Sequence, residues 1–383
     1  MNRTEQNLLQ ALQKSLWEAD IAIPDDTDWD AVIEEARRQA VLSVVIAAAP
    51  KQIQDQRKSQ ASIGTAVFIR NLHYQNQLYL LLKENGIPMV ILKGTAAAVY
   101  YDKPYQRTMG DIDFLVPREY FDSAKEILAQ NGYTIEEDPR YQRHIDVLID
   151  QICFEMHRYF SDENVNIEKY VIEGLKNIEL YSIYGIEFPA LPKLANGLVL
   201  LAHLVHHMQD GLGLRQIIDW MLYVDKELND SFWEESFGAA ARDTGLETVA
   251  IVATEMCRMY LGLKADINWC KTADPQTCTE LLENVFLSGN FNTKQGTGSL
   301  VETTVTNLKR QGFFSYLQTA GEHNWKAYHR HRWLKPFCRF YQIGRYARQG
   351  LRTKRSGKQI LQDIERGNKR IELLKKLNIK TVD

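Results

Sequence analysis

The chain has 383 residues, of which 45% are apolar and 25% charged, with only 10 prolines. That balance excludes a disordered or fibrous protein, and the length asks for two or three folding units at roughly 150 residues each. The formal net charge of −3 is unevenly spread: from Lys326 onward 17 lysines and arginines face four acids, a balance of +13 that leaves −16 on residues 1–325.

The longest apolar runs, Val41–Pro50 and Gly197–Val205, fall short of the roughly 20 residues of a bilayer crossing, so no membrane span is expected. The first residues, MNRTEQNLLQALQKSLWEAD, read as a polar, helix-patterned start without the apolar core of a secretory signal, and cytoplasmic residence is the expectation. Five cysteines, none in a CxxC pair, argue against a disulfide framework and a zinc knuckle and point to reduced, packed thiols.

Residues 1–85 form a predicted helical region. Thr27 and Asp28 can cap a helix starting near Trp29, and the apolar spacing of Val67, Ile69, Leu72, Leu78, Leu81 and Leu82 runs to a C-terminal stop at Asn85-Gly86. At Ile87 the pattern changes to strand, helix, loop, strand: IPMVILKG, then TAAAVYYDK ended by Pro104, then the alternating DIDFLVP. A helix over 119–130 closes at Asn131-Gly132, and YTIEE, HIDVLID and ICFEMHRYF read as further strands, the last two joined tightly at Asp150-Gln151. Residues 86–190 are therefore expected to hold a small mixed sheet with a few helices, making the whole an α+β protein. Residues 191–325 return to helix, with Pro192 before KLANGLVLLAHLVHHM and a glycine turn at Gly211 and Gly213; residues 326–383 form a basic helical tail.

The chemistry concentrates in the sheet. Asp111 and Asp113 lie two apart on one predicted strand, and Glu155 and His157 two apart on another, so each pair projects from one face. Three carboxylates on one face repel one another and raise their own pKa values unless a dication sits among them, and such a set suits Mg²⁺ completed by substrate phosphates, with Mn²⁺ able to substitute. Gly94-Thr95, where strand meets helix, offers backbone N–H groups to a phosphate, and Lys93 and Arg107 flank the same opening with charge for a triphosphate.

These residues resemble the DNA polymerase β-like nucleotidyltransferase superfamily, and within it a bacterial group of uncharacterised nucleotidyltransferases. The likeness rests on Leu92-Lys93-Gly94, on Arg107 with Gly110-Asp111-Ile112-Asp113-Phe114-Leu115-Val116, and on Glu155-Met156-His157, and it spans roughly residues 30–290. It implies a nucleotidyltransferase palm over 86–190, embedded between helical regions. Asp111, Asp113 and Glu155 would be catalytic metal ligands for two Mg²⁺, and Lys93, Gly94, Thr95 and Arg107 would meet a nucleoside triphosphate such as ATP. The wider superfamily carries Gly-Ser or Gly-Gly where this chain has Gly94-Thr95. The implied reaction is NMP transfer to an unidentified hydroxyl acceptor; the rivals are a non-catalytic, antitoxin-like nucleotide-binding protein of the same fold and an RNA-directed transferase.

Two features stand outside that site. His203, His206, His207 and Asp210 share one helix stripe, expected to serve as capped or packed histidines or as a cleft wall rather than as a zinc site, while Arg215 and Asp219 on the next helix are expected to pair with each other. In the tail, Ile360, Ile364, Ile371, Leu374 and Leu377 form an apolar stripe among the positive charges. Docking on the acidic body is favoured there over nucleic-acid binding.

Overall fold

Helix formation in the first third follows the caps and apolar spacing. Helices α1 (Arg3–Trp17), α2 (Trp29–Arg38), α3 (Leu42–Ala48) and α4 (Lys51–Glu84) lead to the sheet. The side chain of Asn2 caps α1 by accepting from the Glu5 amide, and Asp28 caps α2 by accepting from Ala31. Thr27 instead donates to the Pro24 carbonyl and accepts from Asn7. The long α4 stops at Asn85, and Gly86 takes a φ of 70°, the left-handed turn that glycine enters without a Cβ penalty. This computed structural model describes residues 1–137, 143–150, 152–161, 165–290, 313–352 and 357–379, and no side chain at 165, 209, 210, 313, 347, 349–352 or 357–364. Gln151 of the expected tight connection thus lies outside the described residues, as does the side chain of Asp210.

The chain folds as two compact units, Met1–Phe291 and Asn292–Asp383. In the first, seven strands order as β3-β4-β5-β2-β1-β7-β6. They are β1 (Val90–Leu92), β2 (Ile112–Leu115), β3 (Thr134–Glu136), β4 (His144–Ile149), β5 (Ile152–His157), β6 (Glu179–Ile183) and β7 (Ile186–Ala190). The sheet is mixed: β2 runs antiparallel to β1 and parallel to β5, and β5 antiparallel to β4. One sheet face packs Ile112, Phe114, Ile145, Val147, Phe154 and Met156 against Phe68, Leu72, Leu78 and Leu82 of α4, all buried, so the alternating apolar residues turn inward and the acids between them turn to the other face.

The β6–β7 hairpin is not anticipated from sequence. Its turn places Tyr184 and Gly185 at φ values of 54° and 79°, as a two-residue hairpin of matching twist requires. Pro189 breaks the alternating pattern that marks a strand. Burial of Phe188 and Ala190, with Ala190 in register beside Ile91 of β1, builds the strand regardless.

After the sheet, α8 (Lys193–Asp210) and α9 (Leu214–Glu227) pack together, and helices over Gly238–Asp243, Glu247–Tyr260 and Pro275–Ser288 complete the first unit. Short α5 (Thr95–Ala98), α6 (Phe121–Gln130) and α7 (Val165–Leu175) flank the strands. The second unit comprises helices Phe313–Asn324, Lys326–Arg330, Cys338–Arg352 and Gly357–Lys376, with a 3₁₀ segment over Arg332–Phe337. Ile371, Leu374 and Leu377 of the expected tail stripe are buried, while the side chains of Ile360 and Ile364 lie outside those described. The five cysteines are all free thiols.

Candidate active site

β1 ends on a strained turn. Lys93 and Gly94 take φ values of 48° and 47°, an unfavourable conformation for lysine, and the chain then enters α5. Thr95 is fully buried and donates its hydroxyl to Oε1 of Gln75 on α4 at 2.5 Å. That bond pins the turn to the helix below and directs the hydroxyl inward.

Register brings the acids together. Asp113 of β2 is level with Glu155 of β5, and Glu155 with Asp146 of β4, giving three carboxylates in one row across adjacent strands. Level residues on neighbouring strands share a face. Asp111 precedes the row at the exposed entrance to β2, and His144 and His157 pair in the next row. Asp146 and His144 are part of this cluster without having been singled out from sequence. The HIDVLID strand carried the signal, two polar residues at a spacing of two, but only the pairing of β4 with β5 sets them beside Glu155.

Asp113 is the most heavily engaged of the acids. Its Oδ1 lies 2.7 Å from Lys93 Nζ and 3.0 Å from His157 Nε2. His157 Nε2 also lies 3.4 Å from Glu155 Oε2. Burial pushes the Asp113 carboxyl up, but the Lys93 ammonium and His157 outweigh it and hold the group well below the ordinary carboxylate range. Asp111 shifts the opposite way, raised by partial burial and then by the charges of Glu155 and Asp113. Cys153, two residues before Glu155, has its thiol pushed up to about 12, first by burial and then by Asp146, Asp111 and Glu155. Acidic charge therefore dominates around Asp111 and Cys153, whereas Lys93 and His157 dominate around Asp113.

Among the described residues, the side chains close enough together to share a metal ion are His144, Glu155 and His157. Their ligand atoms lie within 4.8 Å of one another, and imidazole donors beside carboxylates suit Mn²⁺ or later ions as well as Mg²⁺. Asp113 and Glu155 offer oxygen ligands on one face, and a dication there would relieve the part of the Asp111 shift that comes, after burial, from the charges of Glu155 and Asp113.

The cationic side of the cleft is arranged differently from the expected pairing. Asp219 does not pair with Arg215 one turn away. It accepts from Arg107 Nε and Nη2 at 2.8 and 2.7 Å and from the Tyr101 hydroxyl at 2.8 Å. A buried guanidinium 112 positions away presents two parallel donors to both carboxylate oxygens, which an i,i+4 side chain on the same helix does not match. Arg215, itself 7% exposed, instead donates from Nη1 to the Thr108 carbonyl at 3.3 Å, and its Nε has no acceptor among the described residues. That Nη1 lies 3.6 Å from where a Cβ on Gly110 would be, an ordinary contact that sets the guanidinium beside the residue preceding Asp111.

The histidine stripe divides. His203 and His207 share a hydrogen bond between their Nε2 atoms at 2.9 Å, whereas His206 is exposed. Burial, together with Lys93 for His203 and Arg215 for His207, drives both imidazoles below their usual range, His207 to about 3. They form a neutral wall beside Lys93 and Arg215.

A family model described as uncharacterised nucleotidyltransferase matches residues 25–262. That span runs from before α2 to the end of the helix Glu247–Tyr260 and holds every residue of the cluster. No curated protein matches. Among solved structures, the antibiotic-resistance factor ANT(2'')-Ia is similar over 44% of this chain and 89% of its own, at 15% identity and a TM-score of 0.34, a superposition that fixes neither fold nor activity.

Proposed function

The chain belongs to the family of uncharacterised nucleotidyltransferases, and we propose that its acidic sheet face moves an NMP group from an NTP to a hydroxyl acceptor with a bound divalent cation. The observation that carries this reading is the carboxylate row set by register, Asp113 level with Glu155, with Asp111 raised beside it. In this proposal Asp111, Asp113 and Glu155 are the metal ligands and catalytic residues. Lys93 and the amides of Gly94 and Thr95 meet the phosphates, and Arg215 adds a buried cation to that side. Arg107 acts through Asp219, holding α9 and the loop before β2 in place.

A dication bound there supplies charge neutralisation between phosphate oxygens and carboxylates. The acceptor oxygen attacks the α-phosphorus while the bond to the bridging oxygen of pyrophosphate breaks, and pyrophosphate leaves with the electron pair. The proton of the acceptor hydroxyl passes to a carboxylate, for which Glu155, more exposed than Asp113, serves, and then to water. Lys93, already bonded to Asp113, exchanges that contact for phosphate oxygens as the nucleotide enters.

The test uses α-labelled NTPs, Mg²⁺ and an acceptor screen, beside Asp111→Asn and Asp113→Asn. Label transfer abolished in both variants supports the reading; transfer that survives Asp113→Asn, or NTP affinity indifferent to EDTA, defeats it. Asp111→Asn carries a second readout: without metal it should raise the melting midpoint by about 1–2 °C, because a repelled carboxylate is removed, and the midpoint gain that Mg²⁺ gives the parent should vanish.

A further inference from the structure

The second unit carries an apolar surface that its own packing does not use. Helices Phe313–Asn324 and Cys338–Arg352 pack closely: a Cβ added to Gly321 would come within 2.1 Å of the Cys338 carbonyl oxygen. The facing side is well filled. Trp325 stacks on Tyr341 with ring centroids 5.0 Å apart, the hydroxyls of Tyr316 and Tyr346 meet at 2.7 Å, and Leu317, Tyr328, Cys338 and Gln342 are buried.

The opposite side is exposed and aromatic. Trp333 is 71% exposed, Phe337 50%, Phe340 70% and Ile343 47%. Trp333 and Phe337 lie in the 3₁₀ segment Arg332–Phe337, and Phe340 and Ile343, three apart, share one face of the helix that follows it. Arg345 and Arg348 are exposed on the same helix as Phe340 and Ile343, while Arg332 lies over the Tyr328 ring and Arg339 donates to Gln318 of the neighbouring helix. Large apolar residues on the outward side of a helix pair are costly in water unless something covers them.

We propose that this surface is an interfacial anchor for an anionic lipid surface. Charge complementarity selects the occupant class: the arginines demand an anionic partner. Their placement selects a bilayer over RNA. A nucleic-acid track interleaves cations with stacking rings along the strand, whereas here the exposed apolar residues include aliphatic Ile343, and Arg345 and Arg348 follow them on the same helix. That arrangement sets Trp and Phe at the acyl boundary while arginines reach outward to headgroups. No helix among the described residues is long and apolar enough to cross a membrane, so the surface lies on the bilayer rather than through it. The basic balance of residues 326–383 adds to the same attraction.

The test is flotation of the full chain with vesicles of phosphatidylcholine alone or mixed with phosphatidylglycerol, at low and high salt. Binding is expected only with phosphatidylglycerol and weakened by salt. The Trp333→Ala/Phe337→Ala/Phe340→Ala variant should lose at least tenfold in partitioning, and each of Arg345→Gln and Arg348→Gln about fivefold, one arginine near an anionic surface contributing about that factor. Because these side chains are exposed, the melting midpoint of each variant should match the parent's, which separates lost anchoring from lost folding. Equal partitioning to both vesicle types, an aromatic variant that floats as the parent does, or RNA retention at the same salt that the aromatic variant abolishes while flotation is absent, overturns the proposal.

Discussion

Removing one partner of the Arg107–Asp219 pair should unfold the first unit more readily than removing both. The two side chains are 4% and 3% exposed, and Asp219 accepts three hydrogen bonds, two from Arg107 and one from Tyr101. Asp219→Asn leaves the guanidinium buried without a counter-charge, with Arg215 nearby pressing against it. A stranded buried charge costs about 3–5 kcal/mol. At roughly 2 °C per kcal/mol for a body of this size, the melting midpoint should fall by about 6–10 °C. Arg107→Met strands the carboxylate instead and should cost about as much. The double variant Arg107→Met/Asp219→Leu exchanges the pair for apolar volume and should recover most of the loss, leaving a coupling of at least about 2 kcal/mol. Urea and thermal unfolding of the four proteins at neutral pH measure the cycle. Additive single losses would refute the argument. So would an Arg107→Met protein with an unchanged midpoint and weakened NTP binding, because it would make Arg107 a phosphate ligand rather than a clamp between α9 and the strand loop.

Acid should weaken the fold through the histidine pair. His207 is held to about 3 against an ordinary 6.5, and His203 is lowered as well. Below pH 6.5 the unfolded chain therefore takes up protons that the folded chain refuses, and stability falls as pH drops toward 3; by pH 5 the loss reaches about 2 kcal/mol for His207 alone. His207→Gln should flatten that slope, and a slope equal to the parent's between pH 7 and 5 would count against it. Gly197→Ala should destabilise the contact of α8 with α9, since a Cβ there would come within 2.3 Å of the fully buried Tyr223 ring, whose hydroxyl donates to the Lys193 carbonyl. Overpacking costs about 1–3 kcal/mol and the gain in helix propensity offsets about 1, so a midpoint above the parent's would show that Tyr223 moves freely.

Local pattern determines much of this protein. Alternation in DIDFLVP and ICFEMHRYF sends Ile112, Phe114, Phe154 and Met156 into the core and leaves Asp111, Asp113, Glu155 and His157 on the other side, because successive side chains of a strand point oppositely. The stops at Asn85-Gly86 and Asn131-Gly132 are equally local, since each needs only a left-handed residue at the helix end. What lies next to these elements is not a local property. Asp146 and His144 reach Glu155 and His157 through the pairing of β4 with β5, and a register shift of one residue would send them to the core face. Asp219 is taken by Arg107 rather than by Arg215, and the Thr95 hydroxyl by Gln75 rather than by an open cleft. The β6–β7 hairpin forms through Pro189 because β1 offers an edge and the core has room for Phe188 and Ala190. Periodicity states which face a side chain takes; only the assembled chain states what it meets there, because the partners lie from about ten to more than a hundred residues apart and are chosen by burial and hydrogen-bond geometry.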